Sequence, residues 1–321
     1  METKTRGAFA AMLAVIVCLA VVGEGLAQKK DAEATKGKVK FVDPALEKAV
    51  RVTLDKPKGE LTPSDLAKLT DLGAAGNEIK NLSGIEACAA LTNLDLSACG
   101  LSDLKPLAGL VNLKVLELHS NFISDLQPLA GLTNLTELGL SLNHISDLKP
   151  LAKLANLTSL DLGFNQIADL SSLAGLVNLD NLDLEENQIS DLKPLAGLTK
   201  LTELNLATNQ IVDLKPLTGL SDLGYININK NRITDLKPLA GILTLYQIDL
   251  GDNRIADITP LIENCNAGGK LCWGGGTSAE VDLSNNPLNE KASKQQVPYL
   301  VTKGVTFCKV RDPSCQSGNE K

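Results

Sequence analysis

The most regular feature of the chain is a hydrophobic pattern that repeats every 22 residues. The units follow one another without insertions and begin at Leu69, Leu91, Leu113, Leu135, Leu157, Leu179, Leu201, Leu223 and Leu245. A typical unit, Leu135 to Asn156, reads LTELGLSLNHISDLKPLAKLAN. Tandem copies of a short unit predict a repeat solenoid, in which each unit contacts only its neighbours. We therefore interpret residues 69–266 as nine stacked repeats.

Within each unit, the hydrophobic positions predict one short strand and one turn. The segment L-x-L alternates with a period of two, which is typical of a strand with one buried face. Burying the seven apolar side chains of a unit contributes roughly 14 kcal/mol. Ordering its backbone costs about 20 to 40 kcal/mol. A single unit therefore cannot fold alone, and we expect the repeats to fold cooperatively as a stack.

The ninth position of the unit is asparagine in eight of the nine copies, and Cys99 replaces it in the other. An amide side chain can donate and accept hydrogen bonds, so a row of them can satisfy the backbone where each turn leaves the strand. We predict a structural asparagine ladder made of Asn77, Asn121, Asn143, Asn165, Asn187, Asn209, Asn231 and Asn253. The aspartate that recurs four residues later is predicted to accept backbone N–H groups in a short helical turn, rather than to bind metal.

The unit resembles the leucine-rich repeat, and its D-L-K-P-L-A-G-L segment is similar to the internalin type found in bacterial surface and secreted proteins. The resemblance implies an α/β repeat solenoid: a right-handed horseshoe with a concave parallel β-sheet and a convex side of short 3-10 helices and turns. Residues 41–68, where Asp43-Pro44 and Thr62-Pro63 open helices, resemble the helical N-terminal cap of such arrays. Residues 267–310 contain a glycine-rich insertion, a helical stretch and a last strand, which predicts a mixed α/β C-terminal cap.

The two ends of the chain have different compositions from the repeats. Residues 1–27 combine Lys4 and Arg6, an apolar run of 15 residues and small residues up to Ala27, which predicts a cleaved signal peptide. That run is shorter than the roughly 20 residues of a membrane span, and lipid attachment at Cys18 is the alternative. Residues 28–40 are predicted to be a flexible linker and residues 311–321 a tail. We therefore expect a secreted or periplasmic bacterial protein with no membrane span after cleavage.

Six cysteines remain after removal of the signal peptide. An even number in an exported protein suggests disulfides. The spacing favours Cys265–Cys272 and Cys308–Cys315, although crossed pairing among these four is also compatible with it. Cys88 and Cys99 either pair or remain buried thiols. The spacing does not fit a zinc knuckle.

The outward positions of the nine predicted strands carry nine acidic residues and no lysine or arginine. The whole chain has 31 Lys+Arg and 38 Asp+Glu, a net charge of -7, which argues against nucleic-acid binding. It has two histidines and none of the common catalytic or nucleotide-binding motifs. We therefore predict neither an enzyme nor a cofactor.

The remaining hypothesis is a secreted, monomeric scaffold that binds a protein with a basic surface through an acidic concave face. The candidate partner-binding residues are His119, Glu137, Asp161, Phe164, Asp183, Glu185 and Tyr225. An alternative is a divalent-cation or glycan binding protein of the cell envelope. The acidic residues could also serve only to keep a bare sheet soluble.

Overall fold

The structure is a computed structural model that describes residues 37–272 and 279–308. It contains one parallel sheet of 11 strands, which neighbour each other in chain order. The strands are β1 Asp71–Gly73, β2 Asn93–Asp95, β3 Val115–Glu117, β4 Glu137–Gly139, β5 Ser159–Asp161, β6 Asn181–Asp183, β7 Glu203–Asn205, β8 Tyr225–Asn227, β9 Gln247–Asp249, β10 Ala279–Asp282 and β11 Val305–Cys308. The predicted signal peptide and tail lie outside the described residues.

The return path of each turn contains a short 3-10 helix. These helices span Ile85–Ala87, Lys105–Leu107, Gln127–Leu129, Lys149–Lys153, Ser171–Leu173, Lys193–Leu195, Lys215–Leu217 and Lys237–Leu239. The recurring aspartate accepts the backbone N–H two residues on, as Asp147 does from Lys149 at 2.9 Å. An open single sheet with short 3-10 turns confirms the predicted fold class. The ninth repeat differs, because an α-helix occupies the place of its 3-10 helix.

The core is one continuous aliphatic column inside the coil. In the fourth repeat, all seven predicted apolar positions are buried, and none of their side chains is more than 2% exposed. Strand register places equivalent leucines side by side, as with Leu94 and Leu116. Each layer therefore packs against the layers before and after it, and the array gains stability that no repeat has alone.

The asparagines connect successive turns. Asn143 Nδ2 donates to the carbonyls of Leu118 and Leu140, both at 3.0 Å, and its Oδ1 accepts the N–H of Ile123 at 2.9 Å. The same arrangement recurs at Asn121, Asn165, Asn187, Asn209, Asn231 and Asn253.

The ladder changes at its two ends. Asn77 is exposed and donates to the carbonyls of its own turn, at Ala74 and Ala75. Cys99 occupies the next position, and its Sγ lies 3.2 Å from the carbonyl oxygen of Ala74. At the other end, Asn286 bonds in the same way as the internal asparagines.

The residue before each ladder position has a left-handed backbone, with φ between 49° and 57° at the non-glycine positions. These residues are Ala98, Ser120, Leu142, Phe164, Glu186, Thr208, Lys230, Asp252 and Asn285. This conformation costs an L-residue about 1 to 2 kcal/mol. It allows the N–H to bond to the next turn, as Leu142 does to the Gly163 carbonyl at 3.0 Å.

Two helices, α1 Pro44–Thr53 and α2 Pro63–Leu66, cover the N-terminal end of the column. The Asp43 carboxylate accepts the N–H of Ala45 at the start of α1 and the N–H of Lys80 in the first repeat at 2.7 Å. Burial opposes ionisation of Asp43, but its bonds to backbone N–H groups lower its pKa overall. One buried carboxylate thus fixes the cap to the repeats.

The C-terminal end is covered by α3 Thr259–Asn266, a 3-10 helix at Lys270–Cys272, a π-helix at Ala292–Gln296 and α4 Val297–Thr302. A disulfide joins Cys265 to Cys272, whereas Cys88 and Cys99 are free, buried thiols. Cys315, and therefore its predicted pairing with Cys308, lies outside the described residues. Among residues 37–272 and 279–308, the helices lack the length and hydropathy of a transmembrane span.

Candidate functional site on the exposed face of the sheet

The exposed face of the sheet carries a row of acidic side chains along its centre. Parallel register aligns the last residue of each strand, which points outward, with the last residue of the next strand. From β2 to β10 this central row reads Asp95, Glu117, Gly139, Asp161, Asp183, Asn205, Asn227, Asp249 and Asp282. Because strands lie about 4.8 Å apart, carboxylates on adjacent strands repel one another.

His119 lies among three of the polar side chains on this face. Its Nε2 is 2.6 Å from Glu117 Oε2, and its Nδ1 is 2.6 Å from Ser141 Oγ and 3.4 Å from Asp161 Oδ2. The Glu117 carboxylate raises the pKa of His119 above its usual value, against an opposing effect of burial. Gly139 makes this cluster possible, because a Cβ there would overlap the Glu117 and His119 side chains.

Asp161, Asp183 and Glu185 form an acidic group beside the histidine. Asp161 pairs with Asp183 in the sheet register, and the Asn205 amide donates to Asp183 Oδ2 at 2.8 Å and Glu185 Oε2 at 3.0 Å. Burial raises the pKa of Asp183, and the charges of Asp161 and Glu185 raise it further. The backbone N–H groups of Gly163 and Glu185 also donate to Asp161 Oδ1 and Asp183 Oδ1. The three carboxylates have these neutral donors but no lysine or arginine, so the group holds its negative charge at a cost.

A second acidic group lies towards the C-terminal end. Asp249 pairs with Asp282 in the register, and the Tyr225 hydroxyl donates to Asp249 Oδ2 at 3.3 Å. Burial, with Asp282 and Glu280 nearby, raises the pKa of Asp249 to about 6. Burial and the Asp249 charge also raise the pKa of Tyr225.

The structure brings most of the candidate partner-binding residues together. His119 contacts Asp161 directly, Asp183 ends the next strand, and Glu185 lies two residues beyond it. Glu137 is exposed at the start of β4, and Phe164 is exposed in the turn that follows β5. Tyr225 lies apart from them, on β8.

Sequence reasoning did not identify four contributors to the site. It placed Gly139 and Ser141 at outward positions but not in the histidine cluster, although a glycine at an outward strand position could have signalled that side chains approach the backbone closely. Glu280 and Asp282 were not counted as outward residues, because the glycine-rich insertion interrupts the period before β10. Val281-Asp282-Leu283 was recognised as a partial repeat, and its L-x-L alternation places Asp282 outward.

The described part of the chain contains no set of three His, Cys, Asp or Glu side chains arranged to hold a metal ion. The carboxylates of the central row are spread along the sheet instead of converging on a point.

The repeats match a known family model. The model for Leucine Rich repeats (2 copies) matches residues 90–131, 133–175 and 177–219. No curated protein matches the chain. The solved structure of a plant peptide hormone receptor, RGFR1 in complex with RGF2, is 25% identical with a TM-score of 0.50, and the match covers 62% of this chain and 39% of that one.

Two Listeria monocytogenes internalins show greater similarity. Internalin C2 is 37% identical with a TM-score of 0.64, over 65% of this chain and 94% of the solved chain. Internalin F is 26% identical with a TM-score of 0.65, over 85% of this chain and 96% of the solved chain. The identity to internalin C2, over nearly the whole of its solved chain, confirms the resemblance seen in the repeats. The chain belongs to the internalin-type leucine-rich repeat proteins.

Proposed function

We propose that the protein is an exported scaffold, not an enzyme, and that the exposed face of its sheet binds a protein with a basic surface. The observation that supports this most directly is the central row, in which six of nine aligned positions from β2 to β10 are carboxylates. No lysine or arginine occupies an outward position of strands β1 to β9. A basic partner would supply the missing counter-charge.

The raised pKa values of Asp183 and Asp249 support this reasoning. Both carboxyl groups are partly desolvated and face other acids, so their ionised forms are held at a cost. A lysine or arginine placed against them would stabilise the ionised form and lower both pKa values. A one-sided field of this kind also speeds the encounter with a basic partner, most strongly at low ionic strength.

The family supports a binding role in general terms. Leucine-rich repeat proteins bind protein ligands, and the plant receptor structure holds its peptide hormone. We extend this binding role to the present chain. In this proposal the chain acts as a monomer outside the cytoplasm, after removal of residues 1–27. N-terminal sequencing of the exported protein tests that part, since we expect it to begin at Gln28. A mature chain that begins at Met1 would contradict it.

The binding test uses isothermal titration of the mature chain with two synthetic peptides of equal length, one rich in lysine and one rich in glutamate. We expect the lysine peptide alone to bind, and its affinity to fall as salt increases. The double variant Asp161→Asn/Asp183→Asn should weaken binding about fivefold to tenfold, because it removes two adjacent charges from the face.

A matched control distinguishes the effect of this site on affinity from the effect of the overall net charge. The double variant Asp222→Asn/Glu263→Gln removes the same net charge from exposed positions away from the face. We expect it to change the affinity less than twofold. Equal weakening by both variants, or no binding of the lysine peptide, would refute the proposal. A rise in melting temperature with calcium alone would favour the cation-binding alternative.

A further inference from the structure

A group of exposed residues, three of them apolar, lies along the turns that leave the strands of the third, fourth and fifth repeats. It consists of Phe122, Leu142, His144 and Phe164, which we call the edge patch. Phe122 is 61% exposed, Leu142 50% and Phe164 39%. The rings of Phe122 and His144 stack with their centroids 6.0 Å apart. Exposed apolar side chains grouped on adjacent repeats are typical of an interaction site.

The fold gives no reason for bulky apolar residues at these positions. Leu142 and Phe164 both occupy the left-handed position before the ladder asparagine, with φ of 57° and 56°. A β-carbon is disfavoured there, and both side chains nevertheless remain exposed. The other non-glycine residues at this position are small, polar or charged: Ala98, Ser120, Glu186, Thr208, Lys230, Asp252 and Asn285. Two adjacent repeats therefore depart from the rest in a way that stability does not explain.

The edge patch directly borders the acidic face. Phe164 follows Gly163, whose missing side chain leaves the carboxylates of Asp161 and Asp183 uncovered. A Cβ on Gly163 would lie 3.4 Å from Asp161 Oδ1 and 3.1 Å from Asp183 Oδ1. The two carboxylates therefore lie beside the residue that directly precedes Phe164, and the facing oxygens also accept the N–H groups of Gly163 and Glu185. Apolar surface and negative charge are adjacent here.

We infer that the edge patch and the Asp161–Asp183 pair form one composite docking surface. Its occupant is a protein segment in which apolar side chains neighbour lysine or arginine. The apolar residues pack on Phe164 and Leu142, and the basic residue reaches the two carboxylates. This inference rests on the proposed function, since it names the chemistry of the partner that the acidic face binds.

The test compares two synthetic peptides that have the same length and the same number of lysines. Three serines in one peptide are leucines in the other. Titrated into the mature chain, the leucine-containing peptide should bind about tenfold more tightly, because a few well-packed apolar anchors dominate such interfaces. The variant Leu142→Ser/Phe164→Ser should abolish this difference, so that it binds the two peptides with equal affinity.

The matched control is Val177→Ser/Val212→Ser, which removes two apolar side chains that are 49% and 55% exposed elsewhere on the coil. It should preserve the tenfold difference. Equal affinity of the wild type for both peptides would overturn the inference and leave the proposed function standing. Failure of the lysine–serine peptide to bind would overturn both. Self-association of the wild type that Leu142→Ser/Phe164→Ser abolishes would identify the patch as a contact between two copies, and would also overturn the inference.

Discussion

Replacing Asn143 by alanine removes one rung from the middle of the ladder. The wild-type side chain donates through Nδ2 to the carbonyls of Leu118, Leu140 and Ser141 and accepts the N–H of Ile123. It is 5% exposed, so water cannot easily replace these bonds. The cost of the substitution depends on which backbone groups lose their hydrogen-bond partners when the Asn143 side chain is removed.

All three carbonyls keep a partner. The Ser141 carbonyl also accepts the N–H of Ser120, and the other two are shared between neighbouring rungs. The Leu118 carbonyl also accepts from Asn121, and the Leu140 carbonyl also accepts from Asn165. The N–H of Ile123, by contrast, has Asn143 Oδ1 as its acceptor and is orphaned by the substitution. Leaving one buried donor unpaired costs about 1 to 3 kcal/mol. We expect the free energy of unfolding to fall by that amount.

Urea titration followed by circular dichroism measures this change, and the slope of the transition should not alter. Asn77→Ala is the matched control, since Asn77 is exposed and bonds to carbonyls of its own turn. It should lose less than about 1 kcal/mol. Equal losses in the two variants would refute the reasoning, because the cost would then not come from the orphaned N–H.

Three further predictions concern single side chains. Gly139→Ala should displace His119 and lower its pKa, as histidine NMR titration would report; an unchanged titration would contradict the close packing at that glycine. Burial raises the pKa of the Cys88 thiol to about 12 and also raises that of Cys99. Neither thiol should therefore react with a thiol reagent at neutral pH until urea unfolds the chain. Rapid labelling of the native protein would contradict this prediction. The pKa of Asp249 is raised to about 6 in the folded protein, against 3.8 for an unperturbed aspartate. Because the folded state binds this proton more tightly than the unfolded state, the free energy of unfolding should decline as the pH rises between these two values. Asp249→Asn should flatten that part of the pH profile, and a variant with the same slope as the wild type would contradict the assignment.

The repeat pattern was sufficient to predict most of the fold. Strand positions, buried leucines and the class of solenoid follow from the 22-residue period, because each layer has the same packing requirement. The α-helix of the ninth repeat does not follow from it, since Thr259–Asn266 retains the proline of its neighbours. Its different backbone instead accompanies the C-terminal cap, where Asn264 replaces a core leucine and donates to the Ile242 carbonyl at 2.9 Å.

The composition of the exposed face could be predicted, but its local groupings could not. Outward positions were identified from alternation alone, and they include Glu117, His119 and Asp161. Whether the histidine contacts the acids depends on side-chain rotamers and on the space left by Gly139, which alternation does not encode. The edge patch shows the same limit, because the sequence placed Phe122, His144 and Phe164 near the edge of the face but not the stacking of the Phe122 and His144 rings.

The hydrogen bonds of the ladder also determine how the chain can change in length. Each internal rung joins residues separated by 20 and 25 positions, such as Ile123 and Leu118 to Asn143. The last rung joins residues separated by 31 and 36, both longer by the same eleven residues. The coil thus absorbs extra residues in a return path without breaking the connection. Excision of one complete 22-residue unit should likewise let every remaining turn bond to its new neighbour, so that gene duplication or deletion could lengthen or shorten the platform while its interior stays the same.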